Sequence, residues 1–89
     1  MSPARLDVVL PVTLHARPAA LVARAAVDAP ADVRLDGADA RSVTALMCLD
    51  ARAGRQVELT ADGPGAERAV AAVAAVVARL GDTAVEAGR

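Results

Sequence analysis

Residues 14–20 of this chain read LHARPAA and contain the single histidine of an 89-residue sequence. His15 is followed by Arg17 and Pro18 in the spacing His-x-Arg-Pro. Proline has no N–H and fits best in the first turn of a helix, where backbone donors have no intrahelical partner. The motif therefore predicts a helix that starts near His15 or Ala16 and carries the imidazole at its N-terminal end.

A histidine in that position has the properties of a nucleophile toward phosphorus. The positive end of the helix dipole disfavours the imidazolium ion and favours a neutral ring with a free nitrogen. A phosphate attached to the ring would meet the backbone N–H groups of Ala16 and Arg17, and the Arg17 guanidinium would add a charge-assisted contact. The motif taken alone favours a plainer interpretation, in which His15 bounds the helix, Arg17 is a solvated charge and Pro18 starts the helix.

The composition excludes several other classes of function. A chain of 89 residues forms about one small domain, which we expect to span residues 1–89. It contains no Phe, Tyr or Trp to stack on nucleic-acid bases, and its net charge of -1 is not that of a nucleic-acid-binding surface. No glycine-rich phosphate loop or Ser/His/Asp set accompanies the histidine, so a self-contained hydrolase is not indicated.

Cysteine content and hydropathy indicate the compartment. Cys48 is the single cysteine, so no disulfide can form within the chain and a reducing environment is favoured. With one histidine and one cysteine, a zinc site would depend mostly on carboxylates, so we expect neither a metal nor a cofactor. The start, MSPARLDVV, lacks the apolar run of a signal peptide or membrane span. We expect a cytoplasmic protein with no membrane contact, in which Cys48 is a small core residue.

Hydrophobic patterns divide the chain into strands and helices. Apolar residues at every second position predict three strands: Leu6, Val8 and Leu10; Val33 and Leu35; and Val57, Leu59 and Ala61. A turn at Gly37 and a short polar strand follow the second of these. Apolar spacing and end signals predict helices over about residues 15–27, after Ser42, and from Pro64 to a stop at Gly81, with a frayed tail beyond it. The order βαββαβα predicts an α+β open-faced sandwich, a four-stranded mostly antiparallel sheet with three helices on one face.

The chain resembles a known family over nearly its whole length. LHARPAA is similar to the phosphorylation motif of HPr, the histidine-containing phosphocarrier of the bacterial phosphoenolpyruvate:sugar phosphotransferase system. RSVTALMCL is similar to the regulatory-serine helix of that family, and from Ser42 through AGRQVELTADG the spacing follows typical members without a gap. The predicted element order is that of the HPr-like fold. The agreement of both segments and the element order makes the phosphocarrier interpretation of His15 preferable to the plainer one.

The resemblance implies a role for each residue around the histidine. His15 would accept a phosphoryl group on Nδ1 from enzyme I, itself charged by phosphoenolpyruvate, and pass it to an enzyme IIA domain in sugar transport. Arg17 would assist the transfer, and Pro18 would set the start of the helix. Both partners would dock transiently on the first two helices, at Ala16, Ala20, Val43, Thr44 and Met47.

Three of the implied roles have structural alternatives. Val43 and Met47 lie at helical spacing and are equally compatible with core positions. Ser42 matches the position that a serine kinase phosphorylates in some members, where a phosphate would add negative charge to the docking surface. A serine before an apolar helical run is also an ordinary N-cap, and we favour that interpretation of Ser42.

The sequence also departs from the family pattern. Thr13 stands two residues before the histidine, where glycine is usual, and as a β-branched residue it resists the positive φ that glycine permits. Thr44 replaces a common Met or Phe, Asp50 replaces a common Gly, and the hairpin between Asp32 and Ser42 is shorter than in typical members. These departures motivate an alternative function, an HPr-like regulatory or interaction module that acts through protein binding outside sugar transport. In either case we expect a monomer.

Overall fold

The computed structural model describes residues 3–87 of the chain and confirms the predicted order of elements. The strands are β1 (Ala4–Val9), β2 (Val33–Leu35), β3 (Ala38–Asp39) and β4 (Gln56–Ala61). The helices are α1 (Ala16–Asp28), α2 (Val43–Cys48) and α3 (Ala66–Ala87). The architecture is the predicted α+β open-faced sandwich. Within residues 3–87, no helix is long and apolar enough to cross a membrane.

The four strands form one antiparallel sheet in the order β1-β4-β2-β3, so that β1 and β3 are its edge strands. β1 pairs with β4 along its whole length, starting with Ala4 opposite Ala61. β2 and β3 are joined by a two-residue turn at Asp36 and Gly37, whose φ angles are 50° and 84°. Two successive residues of positive φ make the tight Asp-Gly turn whose twist matches that of paired strands. The turn predicted at Gly37 is confirmed.

The core lies between the helices and the sheet face that carries the alternating apolar side chains. Val33, Leu35, Val57 and Leu59 are each at most 1% exposed, as the period-two pattern predicts. α3 packs on β1 and β4 and against α1, and α1 packs against α2. The buried side chains are Leu, Val and Ala, and none of those that the structure describes is polar. A core of such small residues depends on many close contacts, so each buried methylene group contributes to stability.

One predicted feature of the elements is wrong. α3 does not stop at Gly81 but continues to Ala87, so the segment predicted to fray is helical that far, and residues 88 and 89 lie outside the described residues. A Cβ on Gly81 would lie 3.1 Å from Pro11 Cβ, so this glycine permits a close approach of α3 to the turn after β1. Leu6 lies opposite the buried Leu59, on the side of the sheet that the alternation predicts, but it is 42% exposed because β1 is an edge strand.

Candidate functional site

His15 is the N-cap of α1 and directly precedes its first helical residue, Ala16. The backbone of His15 is extended, with φ -71° and ψ -179°, and its carbonyl accepts the Ala19 N–H at 2.9 Å. The helix therefore begins where the His-x-Arg-Pro spacing predicts, and Pro18 lies in its first turn. The imidazole makes no capping hydrogen bond and is exposed, which leaves the ring accessible to a protein partner.

The start of α1 brings the predicted phosphate-binding groups together beside the ring. Among the residues that the structure describes, the N–H groups of Ala16 and Arg17 have no hydrogen-bond partner, whereas Pro18 has no N–H and the Ala19 N–H is bonded. The first turn contains no acidic residue to offset the positive end of the helix dipole. Within the described part of the chain, the exposed Arg17 side chain forms no ion pair or hydrogen bond. Two backbone donors and one guanidinium are thus available for an oxyanion attached to His15.

Backbone hydrogen bonds hold the segment before the histidine against the loop that joins α2 to β4. The Leu10 N–H donates to the Arg55 carbonyl at 2.9 Å, and the Gly54 N–H donates to the Leu10 carbonyl at 2.8 Å. Four residues further on, the Leu14 N–H donates to the Ala51 carbonyl at 2.9 Å, and both residues are buried. These bonds continue the β1–β4 pairing past the end of β1, so the sheet itself positions the approach to α1.

Thr13 adds a side-chain hydrogen bond between this segment and the α2–β4 loop. Its Oγ1 accepts the Ala53 N–H at 3.0 Å, and its carbonyl accepts the His15 N–H at 2.9 Å. The φ of Thr13 is not positive, since the non-glycine residues of positive φ in the described chain are Asp36 and Asp50. The steric conflict expected for a threonine in place of the usual glycine therefore does not arise. Sequence reasoning missed this role of Thr13, since no local pattern relates a threonine to a backbone group 40 positions away.

An arginine stabilises the loop that Thr13 contacts. Arg55 donates to the Asp36 carboxylate at 2.9 Å and to the Leu49 carbonyl at 3.4 Å. The same carboxylate accepts the Glu58 N–H at 2.8 Å. The β2–β3 turn, the start of β4 and the end of α2 therefore meet at Arg55, which ties the loop to the sheet.

The predicted docking residues lie on two helices that contact each other, α1 and α2. Ala16 and Ala20 are exposed on α1, and Thr44 is exposed on α2. Met47 is 44% exposed and is a surface residue, whereas Val43 is half-buried and packs against the core. Met47 is therefore not a core residue, and Val43 is partly one. Four of the five residues are exposed, and docking at this surface stays a prediction.

Two further apolar residues of these helices are more exposed than expected. Leu21 follows the apolar spacing that predicts the helix over residues 15–27, but it is 39% exposed. Cys48 is exposed, so its predicted place in the core is wrong. In a six-residue helix that buries Leu46, position 48 lies about 200° further around the axis and faces away from the core. Cys48 follows Thr44 by one turn and so belongs to the exposed side of α2.

Ser42 is the N-cap of α2, which confirms the structural interpretation of this residue. Its Oγ accepts the Ala45 N–H at 3.1 Å. The neighbouring Arg41 is held by two carboxylates, Asp39 at 3.1 Å and Asp32 at 3.2 Å. The serine hydroxyl therefore has a structural role, and its phosphorylation stays a prediction.

Comparison with known families and proteins shows that the chain is similar to phosphocarriers. The family profile described as "PTS HPr component phosphorylation site" matches residues 4–79. The phosphocarrier protein NPr of Escherichia coli K12 is 43% identical over 68 residues, which cover 71% of this chain and 76% of that protein. The phosphocarrier protein NPr of Klebsiella oxytoca is 41% identical with the same coverage.

Solved structures share the fold. A phosphocarrier protein HPr from Bacillus anthracis is 36% identical, covers 85% of this chain and 95% of its own, and superposes with a TM-score of 0.71. HPr-C-His from Thermoanaerobacter tengcongensis is 27% identical, covers 92% of this chain and 97% of its own, and has a TM-score of 0.74. A Mycoplasma histidine-containing phosphocarrier protein at 23% identity has a TM-score of 0.79 and shows the fold alone.

Proposed function

This chain belongs to the HPr family of phosphocarriers of the phosphotransferase system, and we propose that His15 is the residue that accepts and releases the phosphoryl group. The main support is the place of this single histidine at the start of α1, where its exposed ring lies beside unpartnered N–H groups. A carrier must give up the group that it accepts, so few and exposed contacts suit it better than a tightly enclosing pocket.

The transfer that we propose forms one bond as another breaks. Nδ1 of neutral His15 gives its electron pair to phosphorus, while the bond between phosphorus and the donor atom of phosphorylated enzyme I breaks and its electrons stay with that atom. The Nε2 proton stays on the ring, whose positive charge then adjoins the phosphate. The N–H groups of Ala16 and Arg17 bind phosphate oxygens, each contact contributing about 0.3–1 kcal/mol at an exposed helix end. An acceptor group of an enzyme IIA domain then displaces the Nδ1 atom, and the P–N bond breaks.

We propose that enzyme I and enzyme IIA use one docking surface, made by the exposed and half-buried residues of α1 and α2 around the histidine: Ala16, Ala20, Val43, Thr44 and Met47. The surface is small and mostly apolar, and small interfaces suit short-lived encounters. One surface for donor and acceptor also means that the two partners bind in turn. The chain would act in the cytoplasm, where phosphoenolpyruvate charges enzyme I.

Similarity to NPr supports a nitrogen-related branch of the system over sugar transport. The proposal predicts that enzyme I and enzyme IIA of a nitrogen-related branch exchange the phosphoryl group with this chain faster than their sugar-branch counterparts. Equal or slower exchange with the nitrogen-related partners would contradict the choice of branch and leave the role of His15 intact.

The experiment that tests the role of His15 is labelling with radioactive phosphoenolpyruvate and enzyme I. We expect an acid-labile, alkali-stable label on the wild type and none on His15→Ala. Ser42→Ala is the matched control, because it removes the other candidate phosphorylation site and keeps the label. An unlabelled wild type, or a label on His15→Ala, would refute the proposal.

The alternative, an HPr-like interaction module, gives a different result in the same assay. It predicts a stable complex with a partner outside the phosphotransferase system, and little or no transfer from labelled His15 to an enzyme IIA domain. Rapid transfer to enzyme IIA, with a rate that depends on enzyme IIA concentration, excludes that alternative.

A further inference from the structure

The loop that joins α2 to β4 carries the backbone groups that hold the segment before His15. The Ala51 carbonyl accepts the Leu14 N–H at 2.9 Å, and the Ala53 N–H donates to the Thr13 hydroxyl at 3.0 Å. These bonds reach the two residues directly before the histidine. The position of His15 therefore depends on how well the α2–β4 loop keeps its own shape.

Side-chain packing contributes little to the shape of this loop. Of residues 50–55, only Ala51 is buried, and its side chain is a single methyl group. The loop also turns twice through positive φ, at Asp50 with 50° and at Gly54 with 90°. A segment with few buried apolar contacts opens locally at low cost. Hydrogen bonds must therefore hold the loop closed.

Arg55 supplies several of these bonds. Its guanidinium donates to the Leu49 carbonyl at 3.4 Å, at the other end of the loop. Its backbone N–H donates to the Arg52 carbonyl at 3.1 Å, and its carbonyl accepts the Leu10 N–H at 2.9 Å. Arg55 therefore joins both ends of the loop to each other and to the chain that leads from β1 to His15.

Asp36 gives the Arg55 side chain a fixed anchor. Asp36 Oδ2 accepts from the guanidinium at 2.9 Å, while Oδ1 accepts the Glu58 N–H at 2.8 Å. The Asp36 N–H also donates to the Glu58 carbonyl at 2.8 Å, so β4 holds both the backbone and the carboxylate of Asp36. The Asp36 side chain is 21% exposed, so salt screens this pair less than a fully exposed one. A charge-assisted bond to a carboxylate in fixed geometry is among the stronger hydrogen bonds.

We propose that Arg55 is a positioning residue for phosphoryl transfer, which acts through the α2–β4 loop and the Thr13 hydroxyl to hold His15 in place for attack on phosphorus. The guanidinium is occupied by Asp36 and Leu49, so its effect on the reaction passes through the loop. A nucleophile held in the reactive geometry reacts faster than one that must find it. The inference rests on the proposed function of His15.

Steady-state transfer from enzyme I tests the proposal. In Arg55→Gln we expect kcat to fall about tenfold, because the histidine is no longer held in one position. We expect little change in KM, since α2 keeps its serine cap and its buried Leu46. Asp36→Asn keeps Oδ1 for the Glu58 N–H and removes the charge that faces Arg55. It should therefore lower kcat in the same way.

Arg5→Gln is the matched control. It removes an ion pair of similar length on the same strand, the 3.0 Å contact of Arg5 with Glu58. Arg5 lies opposite Thr60 near the start of β1, at the end of the strand away from His15. This variant should transfer at the wild-type rate. Urea unfolding establishes that each variant is folded under the assay conditions.

A double-mutant cycle distinguishes positioning from a general loss of stability. If Arg55 acts through the Thr13 hydroxyl, Arg55→Gln should lower kcat little further in a Thr13→Val background, because effects within one network are not additive. Amide hydrogen exchange gives a readout that needs no partner. We expect the Ala53 and Leu14 N–H groups to exchange faster in Arg55→Gln and at the wild-type rate in Arg5→Gln.

Three results would overturn the role of Arg55. They are a wild-type kcat in Arg55→Gln, effects of Arg55→Gln and Thr13→Val that multiply in full, and unchanged exchange at Ala53 and Leu14. An equal loss of kcat in Arg5→Gln would also contradict it. A wild type that accepts no phosphoryl group refutes the proposed function and this role together. A wild type that is labelled on His15, beside an Arg55→Gln variant of equal rate, refutes the role of Arg55 alone.

Discussion

The hydroxyl of Thr13 accepts a hydrogen bond from the Ala53 N–H at 3.0 Å, joining two loops that lie 40 positions apart in the sequence. The carbonyl of Thr13 also accepts the His15 N–H, at 2.9 Å. A glycine at this position would retain the second bond and lose the first. The hydroxyl therefore links the backbone before His15 to the α2–β4 loop.

Replacing Thr13 by valine should loosen this link. Thr13→Val keeps the β-branched shape but removes the acceptor, so we expect a loss of about 0.5–1 kcal/mol in the free energy of unfolding and slower phosphoryl transfer. Thr13→Ser keeps an acceptor and should recover most of the transfer rate. Urea unfolding measures the change in the free energy of unfolding, and transfer reactions quenched at successive times measure the transfer rate. If valine and serine variants transfer at the same rate, the hydroxyl does not position the histidine.

A charge in the docking surface should impair partner binding. Met47→Asp places a carboxylate on the exposed side of α2, so we expect a severalfold rise in the KM for enzyme I with a smaller change in kcat. Val27→Asp is the matched control, because Val27 is 63% exposed and lies about 16 Å along α1 from its first residue. Steady-state transfer assays separate the two constants. Equal effects of both variants would contradict the proposed docking surface.

The hydroxyl of Ser42 should contribute to the stability of α2. Ser42→Ala removes the acceptor for the Ala45 N–H and should cost about 1 kcal/mol in the free energy of unfolding. Ser42→Thr keeps a capping hydroxyl and should cost less. Thermal and urea unfolding measure the difference. No loss in the alanine variant would show that water replaces the cap without cost.

Asp50 holds a backbone conformation that favours glycine. It follows α2 with φ 50°, and its N–H donates to the Met47 carbonyl at 3.1 Å. Asp50→Gly should raise the free energy of unfolding by up to about 1 kcal/mol, since glycine adopts positive φ without steric cost. The exposed ion pair of Asp50 with Arg52, at 3.7 Å, offsets little of that gain. Asp50→Ala, which shares the loss of charge, should be destabilising. A glycine variant less stable than wild type would contradict this prediction.

The charge on Asp39 should make stability fall in acid. The side-chain hydrogen bond from Arg41, with a second from the Arg41 N–H, holds the pKa of Asp39 below its ordinary value of 3.8. A carboxyl whose pKa is lowered by folding stabilises the fold above the unfolded value, and that contribution is lost as the pH falls through the folded one. Arg41→Gln should return the pKa of Asp39 toward 3.8, whereas Arg24→Gln should not. NMR titration of the carboxyl carbon measures it, and an ordinary pKa in the wild type would refute the assignment.

Much of the fold and the centre of the site follow from local sequence. Period-two alternation predicts β1, β2 and β4, because a half-buried strand must place every second side chain in the core. Pro18 predicts where α1 begins, because only the first turn tolerates a residue without an N–H. The position of His15 beside two free donors follows from that single constraint.

The tertiary structure decides which apolar residues are exposed and which loops meet. The sequence favours buried positions for Leu6 and Cys48. Leu6 is partly exposed on an edge strand, and Cys48 faces away from the core on a six-residue helix. Gly81 resembles a helix stop, yet it permits α3 to pass close to Pro11. The bond between Thr13 and Ala53 depends on the β1–β4 pairing, which brings distant loops together. Sequence pattern determines local conformation, whereas exposure and long-range contacts depend on how the elements are ordered in the sheet.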